Sequence, residues 1–304
     1  MSGVAWAPVP TLAEARAYCE RLARSHYENF TVVSAFFPKA RRQDMYNVYA
    51  YCRYSDDLGD EELGQGDRHA ALEAWRGEVR RLYEGGGGVG AGADAGAVRH
   101  PILVALRETI DRYAIPAAPF EDLITAFQMD QRRPRWETFD DLRHYCRHSA
   151  DPVGRLVLHV FEEARPETFA LSDQTCTGLQ LANFWQDVKV DLEKGRVYIP
   201  QEDLRRFEYT EKDLAAGVVD DRWRALMGFE VERARGFFRE GLKLLPLVRR
   251  ELRVDLELFS RGGLSILDAI ERGGYDVFRR RPSLGKPRKA WLVLRALVKL
   301  KLGL

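Results

Sequence analysis

At 304 residues and 45% hydrophobic composition, the chain is long enough to bury a large core in one big domain or two ordinary ones. Its net charge of +1 excludes a general nucleic-acid binder, which carries a basic excess. Four cysteines, Cys19, Cys52, Cys146 and Cys176, are widely spaced without a C-x-x-C pair; this fits reduced thiols in a cytoplasmic protein and excludes a disulfide framework or zinc site.

From the N-terminus, no basic region precedes an apolar core, so no signal peptide is expected. No apolar run approaches the roughly 20 residues that span a bilayer. Helical periodicity predicts helices over 11–27, 38–62, 67–84, 100–114, 117–129, 138–147, 150–163, 166–193, 201–206, 210–214, 219–244, 246–258, 262–273 and 287–301. Alternating strand patterns are missing, so the expected fold is all-α, in one domain over 1–304. The stretch 85–97 holds seven glycines in thirteen residues. It contains a formal G-x-G-x-x-G, but no strand precedes it, and it reads as an inter-helix loop rather than a dinucleotide cradle.

Two acid-rich segments stand out from this helical background: Tyr54-Ser-Asp-Asp-Leu-Gly-Asp-Glu-Glu62 and Asn183-Phe-Trp-Gln-Asp-Val-Lys-Val-Asp191. Asp56 pairs with Asp60 at i and i+4, as Asp57 does with Glu61, while Asn183, Asp187 and Asp191 form an i, i+4, i+8 ladder. Residues four apart share a helix face, about 6 Å apart along the axis. Like charges at that spacing repel unless a cation neutralises them. Hard oxygen donors suit Mg²⁺, which keeps several waters and is shared with substrate phosphates. A Mg²⁺-diphosphate site between helices is the expectation; two solvated acidic faces are the alternative. A helical wheel supports the first reading. Leu181, Phe184, Trp185, Val188 and Leu192 form an apolar side next to the stripe Gln180, Asn183, Asp187, Asp191. Tyr49, Arg53, Asp56 and Asp60 share the corresponding stripe of the first segment.

After Asp276 no acidic residue follows, and residues 282–304 interleave basic side chains with Trp291, Leu292, Leu294, Leu297 and Val298. Such a tail can lie on the inner face of an anionic membrane as a peripheral contact; a final core helix with a solvated basic face is the other reading.

Together these motifs resemble the squalene/phytoene synthases, head-to-head prenyltransferases of the all-α isoprenoid synthase fold, a helical bundle around a central active-site cavity. The likeness runs from about Tyr18 to Arg281. It rests on Tyr49, Arg53, Asp56, Asp57 and Asp60, on Gln180, Asn183, Asp187 and Asp191, on Gly195, Arg196, Tyr198 and Pro200, and on the early His26–Phe30 segment. His26-Tyr-Glu-Asn-Phe30, Asn183-Phe-Trp-Gln-Asp187 and Tyr145-Cys-Arg-His-Ser-Ala-Asp-Pro-Val-Gly-Arg155 are similar to the bacterial hydroxysqualene synthases of hopanoid and squalene biosynthesis. Where typical squalene and phytoene synthases have an Arg before the central acid, this chain has Gln186, and Asp151-Pro152 stands in a segment that usually reads Ala-Gly-x-Val. The second change is expected to reshape a kinked helix beside the hydrocarbon cavity.

The resemblance implies ionisation of presqualene diphosphate, rearrangement of the cyclopropylcarbinyl cation and capture by water. It implies Mg²⁺ on Asp56, Asp57, Asp60, Asn183, Asp187 and Asp191. Diphosphate contacts would come from His26, Asn29, Phe30, Arg53, Gln180 and Arg196. Tyr49, Tyr145 and Tyr198 are the implied catalytic residues, and Phe36, Phe127 and Trp185 line the cavity, where aromatic faces attract a cation. His26 and His148 are candidates for handling a proton. No NADPH is expected, nor nucleic acid, while functional coupling to a presqualene diphosphate synthase is implied. A presqualene diphosphate or phytoene synthase, condensing two prenyl diphosphates, and a non-catalytic scaffold of the same fold are the alternatives.

Overall fold

The computed structural model describes residues 9–25, 38–59, 67–84, 98–132, 135–283 and 285. The predicted loop 85–97 and helix 287–301 lie outside them. The described residues form helices α1 (Leu12–Ser25), α2 (Lys39–Gly59), α3 (Arg68–Glu84), α4 (Pro101–Tyr113), α5 (Ala118–Gln131) and α6 (Phe139–Ser149). There follow α7 (Asp151–Val160), α8 (Pro166–Glu193), α9 (Gln201–Arg206), α10 (Glu211–Ala216), α11 (Asp221–Gly241) and α12 (Arg250–Arg272). A 3₁₀ turn, Leu242–Leu247, joins the last two. Among the described residues the only β feature is an isolated bridge between Arg135 and Val197. The fold is all-α.

Local chemistry sets several helix starts. Thr138 Oγ1 accepts from the backbone of Asp141 at 3.2 Å while the Asp141 carboxylate accepts from the Thr138 N–H at 2.9 Å, a capping box that starts α6. Thr210 and Asp213 repeat it at α10, and Asp220 caps α11 through the Trp223 N–H at 3.0 Å.

The chain divides into two compact units, Met1–Gln131 with Arg155–Ala164, and Arg132–Gly154 with Arg165–Leu304. In the first, α2 packs against α1, α3, α4 and α5. Its rotation is fixed by buried polar anchors. The Asn47 amide donates to Ala105 O (3.1 Å) and Thr109 Oγ1 (3.0 Å), Asp44 accepts from Thr109 and Arg112, and the Tyr51 hydroxyl donates to Phe120 O at 2.8 Å. Leaving any of these unpaired would cost about 1–3 kcal/mol, so the helix cannot turn freely. The face left unburied is the one carrying Tyr49, Arg53, Asp56 and Asp57.

In the second unit α8 packs against α6, α11 and α12, with Trp185, Trp223 and Phe238 fully buried. Here one expectation fails. Two helices, 246–258 and 262–273, are predicted around Gly262-Gly263, yet α12 is continuous through them. The reason is tertiary: a Cβ at Gly263 would lie 2.3 Å from Phe238 Cζ, so this glycine admits an aromatic ring instead of ending a helix. The predicted helix over 150–163 is shorter in the structure, ending at Val160.

Candidate active site

On α2, the guanidinium of Arg53 contacts Asp57 and lies 3.5 Å from Asp56. Burial opposes its charge, but Asp57 and Asp56 outweigh that and hold its pKa above the ordinary value. Its buried Nε has no hydrogen-bond partner among the described residues. Tyr49, half-buried one turn earlier, has its hydroxyl pKa raised by burial. Phe127, also in this unit, touches the end of α2, where a Cβ on Gly59 would sit 3.0 Å from Phe127 Cβ. Asp60, His26, Asn29, Phe30 and Phe36 lie outside the described residues.

Along α8 burial follows the helical wheel: Leu181, Phe184, Trp185 and Val188 are buried, Gln180, Asp187 and Asp191 are half-buried, and Asn183 is exposed. Beyond Glu193 the chain doubles back. Gly195 adopts φ 75°, a left-handed conformation suited to glycine, and the Arg196 N–H donates to Asp191 O at 2.8 Å. The return brings Arg196 and Tyr198 to the wall of a cavity also lined by Phe184, Trp185, Asp191 and Leu214; its volume is about 10 Å³, room for one water.

Tyr198 stacks on Phe184 with centroids 3.9 Å apart and planes 10° from parallel. Tyr145 lies 5.9 Å from Tyr198, and Trp136 lies 5.0 Å from Tyr145. The two tyrosines therefore share one buried aromatic cluster with Trp136 and Phe184. Sequence reading missed Trp136 and placed Phe184 only on a packing face.

The Asp151-Pro152 dipeptide marks a break. Helix α6 ends at Ser149, Ala150 takes φ −117° and ψ −52°, and α7 starts at Asp151. Asp151 is fully buried, accepting from Arg143 Nη1 at 2.9 Å and Thr177 Oγ1 at 3.0 Å. Burial, with the charge of Asp173 behind it, lifts its pKa to about 6. Buried thiols here are inert: Cys146 is pushed up to about 12 by burial, which removes it as a nucleophile.

Arg281 is the site residue that spacing could not reveal. Its Nη2 donates to Asp187 Oδ2 at 2.9 Å and its Nε to Oδ1. A cleft of about 410 Å³ beside it is lined by Ile270, Asp276, Arg279, Arg280 and Arg281.

Both acid ladders thus draw a guanidinium, Arg53 to one and Arg281 to the other, which is the behaviour of carboxylates whose charge needs a cation. Among the described residues no three His, Cys, Asp or Glu side chains converge as a closed metal cage. The oxygen donors of Asp56, Asp57, Asp187 and Asp191 are of the hard kind that Mg²⁺ takes, one or two carboxylates at a time with water and substrate phosphates completing the shell.

An all-α chain with two such acid-bearing helices is of the isoprenoid synthase kind, and comparison with known proteins gives the family. A sequence profile described as squalene/phytoene synthase matches residues 23–288, and the chain belongs to that family. It is 33% identical over 291 residues to the 15-cis-phytoene synthase of Synechococcus elongatus, covering 92% of this chain and 91% of that one. With the phytoene synthase of Arthrospira platensis it shares 33% identity over 288 residues, 89% and 88% of the two chains. Among solved structures, the crystal structure of squalene synthase HpnC from Alicyclobacillus acidocaldarius superposes with a TM-score of 0.80 at 46% identity, covering 87% of this chain and 96% of that one. A ligand-bound dehydrosqualene synthase gives 0.82 at 26% identity, covering 95% and 98%.

Proposed function

We propose that this protein converts presqualene diphosphate and water to hydroxysqualene and diphosphate, with Mg²⁺. The observation that carries the choice within the family is Gln186: the amide stands beside Asp187 where condensing relatives are expected to have an arginine, and it is turned to Pro282 O at 2.5 Å. The 46% identity with a structure described as squalene synthase HpnC supports the squalene side of the family over the phytoene side.

In this reading Asp56, Asp57 and Asp60, with Asn183, Asp187 and Asp191, would hold the metal. When bound, Mg²⁺ supplies Lewis-acid neutralisation of the leaving diphosphate. Arg53 and Arg196 donate charge-assisted hydrogen bonds to phosphate oxygens, with His26, Asn29, Phe30 and Gln180 as further contacts. Ionisation breaks the carbon–oxygen bond, and the electron pair leaves with diphosphate. Aromatic faces at Phe36, Phe127 and Trp185 stabilise the cyclopropylcarbinyl cation that this leaves and the cation to which it rearranges. Tyr49, Tyr145 and Tyr198 orient the water that closes the reaction; its oxygen bonds to carbon and its proton is released. The chain acts from the cytoplasmic side, receiving its substrate from a presqualene diphosphate synthase.

A second reading, head-to-head condensation of two prenyl diphosphates, is favoured by the phytoene synthase relatives. Incubation of purified protein with Mg²⁺ and presqualene diphosphate in ¹⁸O-water, with and without NADPH, separates them. The expected product carries one solvent oxygen and forms equally fast without NADPH. Squalene formed only with NADPH, or rapid condensation of farnesyl or geranylgeranyl diphosphate, would overturn the assignment.

A further inference from the structure

Asp187 lies in the middle of the second acid ladder, and both its oxygens accept from a single guanidinium, that of Arg281, 94 residues further along the chain. The neighbouring residue reinforces the contact: Gln186 Nε2 donates to Pro282 O at 2.5 Å. Two consecutive residues of α8 therefore hold two consecutive residues of the segment that follows α12. Positive charge alone does not place Arg281 there, because Arg279, two residues earlier, is 90% exposed and pairs instead with Asp276 at 3.4 Å. A carboxylate gripped in this two-point manner has its charge matched and its lone pairs partly used, which makes it a poorer ligand for an incoming cation.

We propose that Arg281 is the resident counter-ion of Asp187, held by the Gln186–Pro282 anchor, and that a divalent cation must displace it to load the second ladder. The inference rests on the metal reading given above. It also explains a use for Gln186: its amide holds Pro282 and so secures beside Asp187 an arginine brought from far along the chain. Because linkage is reciprocal, the factor by which Arg281 weakens cation binding is the factor by which the cation loosens residues 281–282. Side-chain exposures of 55% for Arg281 and 25% for Asp187 make this a partly screened pair, so the factor is roughly five-fold.

The test uses the full chain without substrate and Mn²⁺ as the probe, with free Mn²⁺ read by electron paramagnetic resonance. Arg281→Gln is expected to tighten Mn²⁺ binding roughly five-fold, and Gln186→Leu to tighten it by part of that. Arg279→Gln, which removes the same charge at a position that does not touch Asp187, should change nothing. By hydrogen exchange, Mn²⁺ should speed exchange in peptides covering 276–283 of the wild type, and Asp187→Asn should do so without metal. Equal or weaker Mn²⁺ binding in Arg281→Gln, or equal tightening in Arg279→Gln, overturns the inference while leaving the metal reading intact. Absence of Mn²⁺ binding in both wild type and Arg281→Gln overturns the metal reading and the inference with it, whatever Asp187→Asn does to exchange.

Discussion

Asp255 on α12 is fully buried, and neither of its carboxylate oxygens meets a hydrogen-bond partner among the described residues. Burial raises its pKa from 3.8 to about 8. Between about pH 4 and 8 the folded protein therefore holds a proton there that the unfolded chain has released. Folding stability falls as pH rises through that window; below it this group costs nothing, and above it the full loss remains without further change with pH. At about 1.4 kcal/mol per unit, four units amount to about 5–6 kcal/mol by pH 8, a large part of a typical domain's 5–15. Asp255→Asn keeps the shape and cannot ionise. Urea unfolding followed by far-UV circular dichroism from pH 4 to 9 should show the two proteins alike near pH 4 and the variant more stable by about 5 kcal/mol at pH 8–9. Asp151 and Glu230, whose pKa values burial also raises, are present in both proteins and cancel in the difference. A gap below about 1 kcal/mol at every pH would refute the reasoning, since it would mean that the carboxylate is hydrated or paired.

Asp60→Ala and Asp187→Ala should each abolish turnover with an unchanged helical circular dichroism spectrum; near-normal activity of either at added Mg²⁺ would remove the metal assignment. Gly263→Ala should lower stability by about 1–3 kcal/mol in the same urea assay, because its methyl meets Phe238 Cζ at 2.3 Å; a neutral result would mean that the α8–α11–α12 packing yields easily. Deleting the residues after Arg281 should weaken sedimentation with anionic liposomes more than it slows turnover of detergent-solubilised substrate, and unchanged binding would favour a core-helix role for that segment.

Most of the described helices and the stripe of the second acid ladder were legible in the sequence because each rests on interactions within four residues. Apolar periodicity gave α8 its buried face, and the i, i+4, i+8 spacing put Asn183, Asp187 and Asp191 on one stripe. The family came from the same local motifs. Contacts between residues distant in sequence were not legible. Gly262-Gly263 reads as a helix break unless Phe238 is known to fill the space, and Asp255, flanked by Val254 and Leu256, gives no local sign of being entombed. The Arg281–Asp187 pair joins residues 94 apart, and nothing in a run of basic side chains says which of them will find a carboxylate. Local propensity decides where a helix forms and which residues share its face. Which partner that face meets depends on the packing of the other helices, and only the folded chain supplies it.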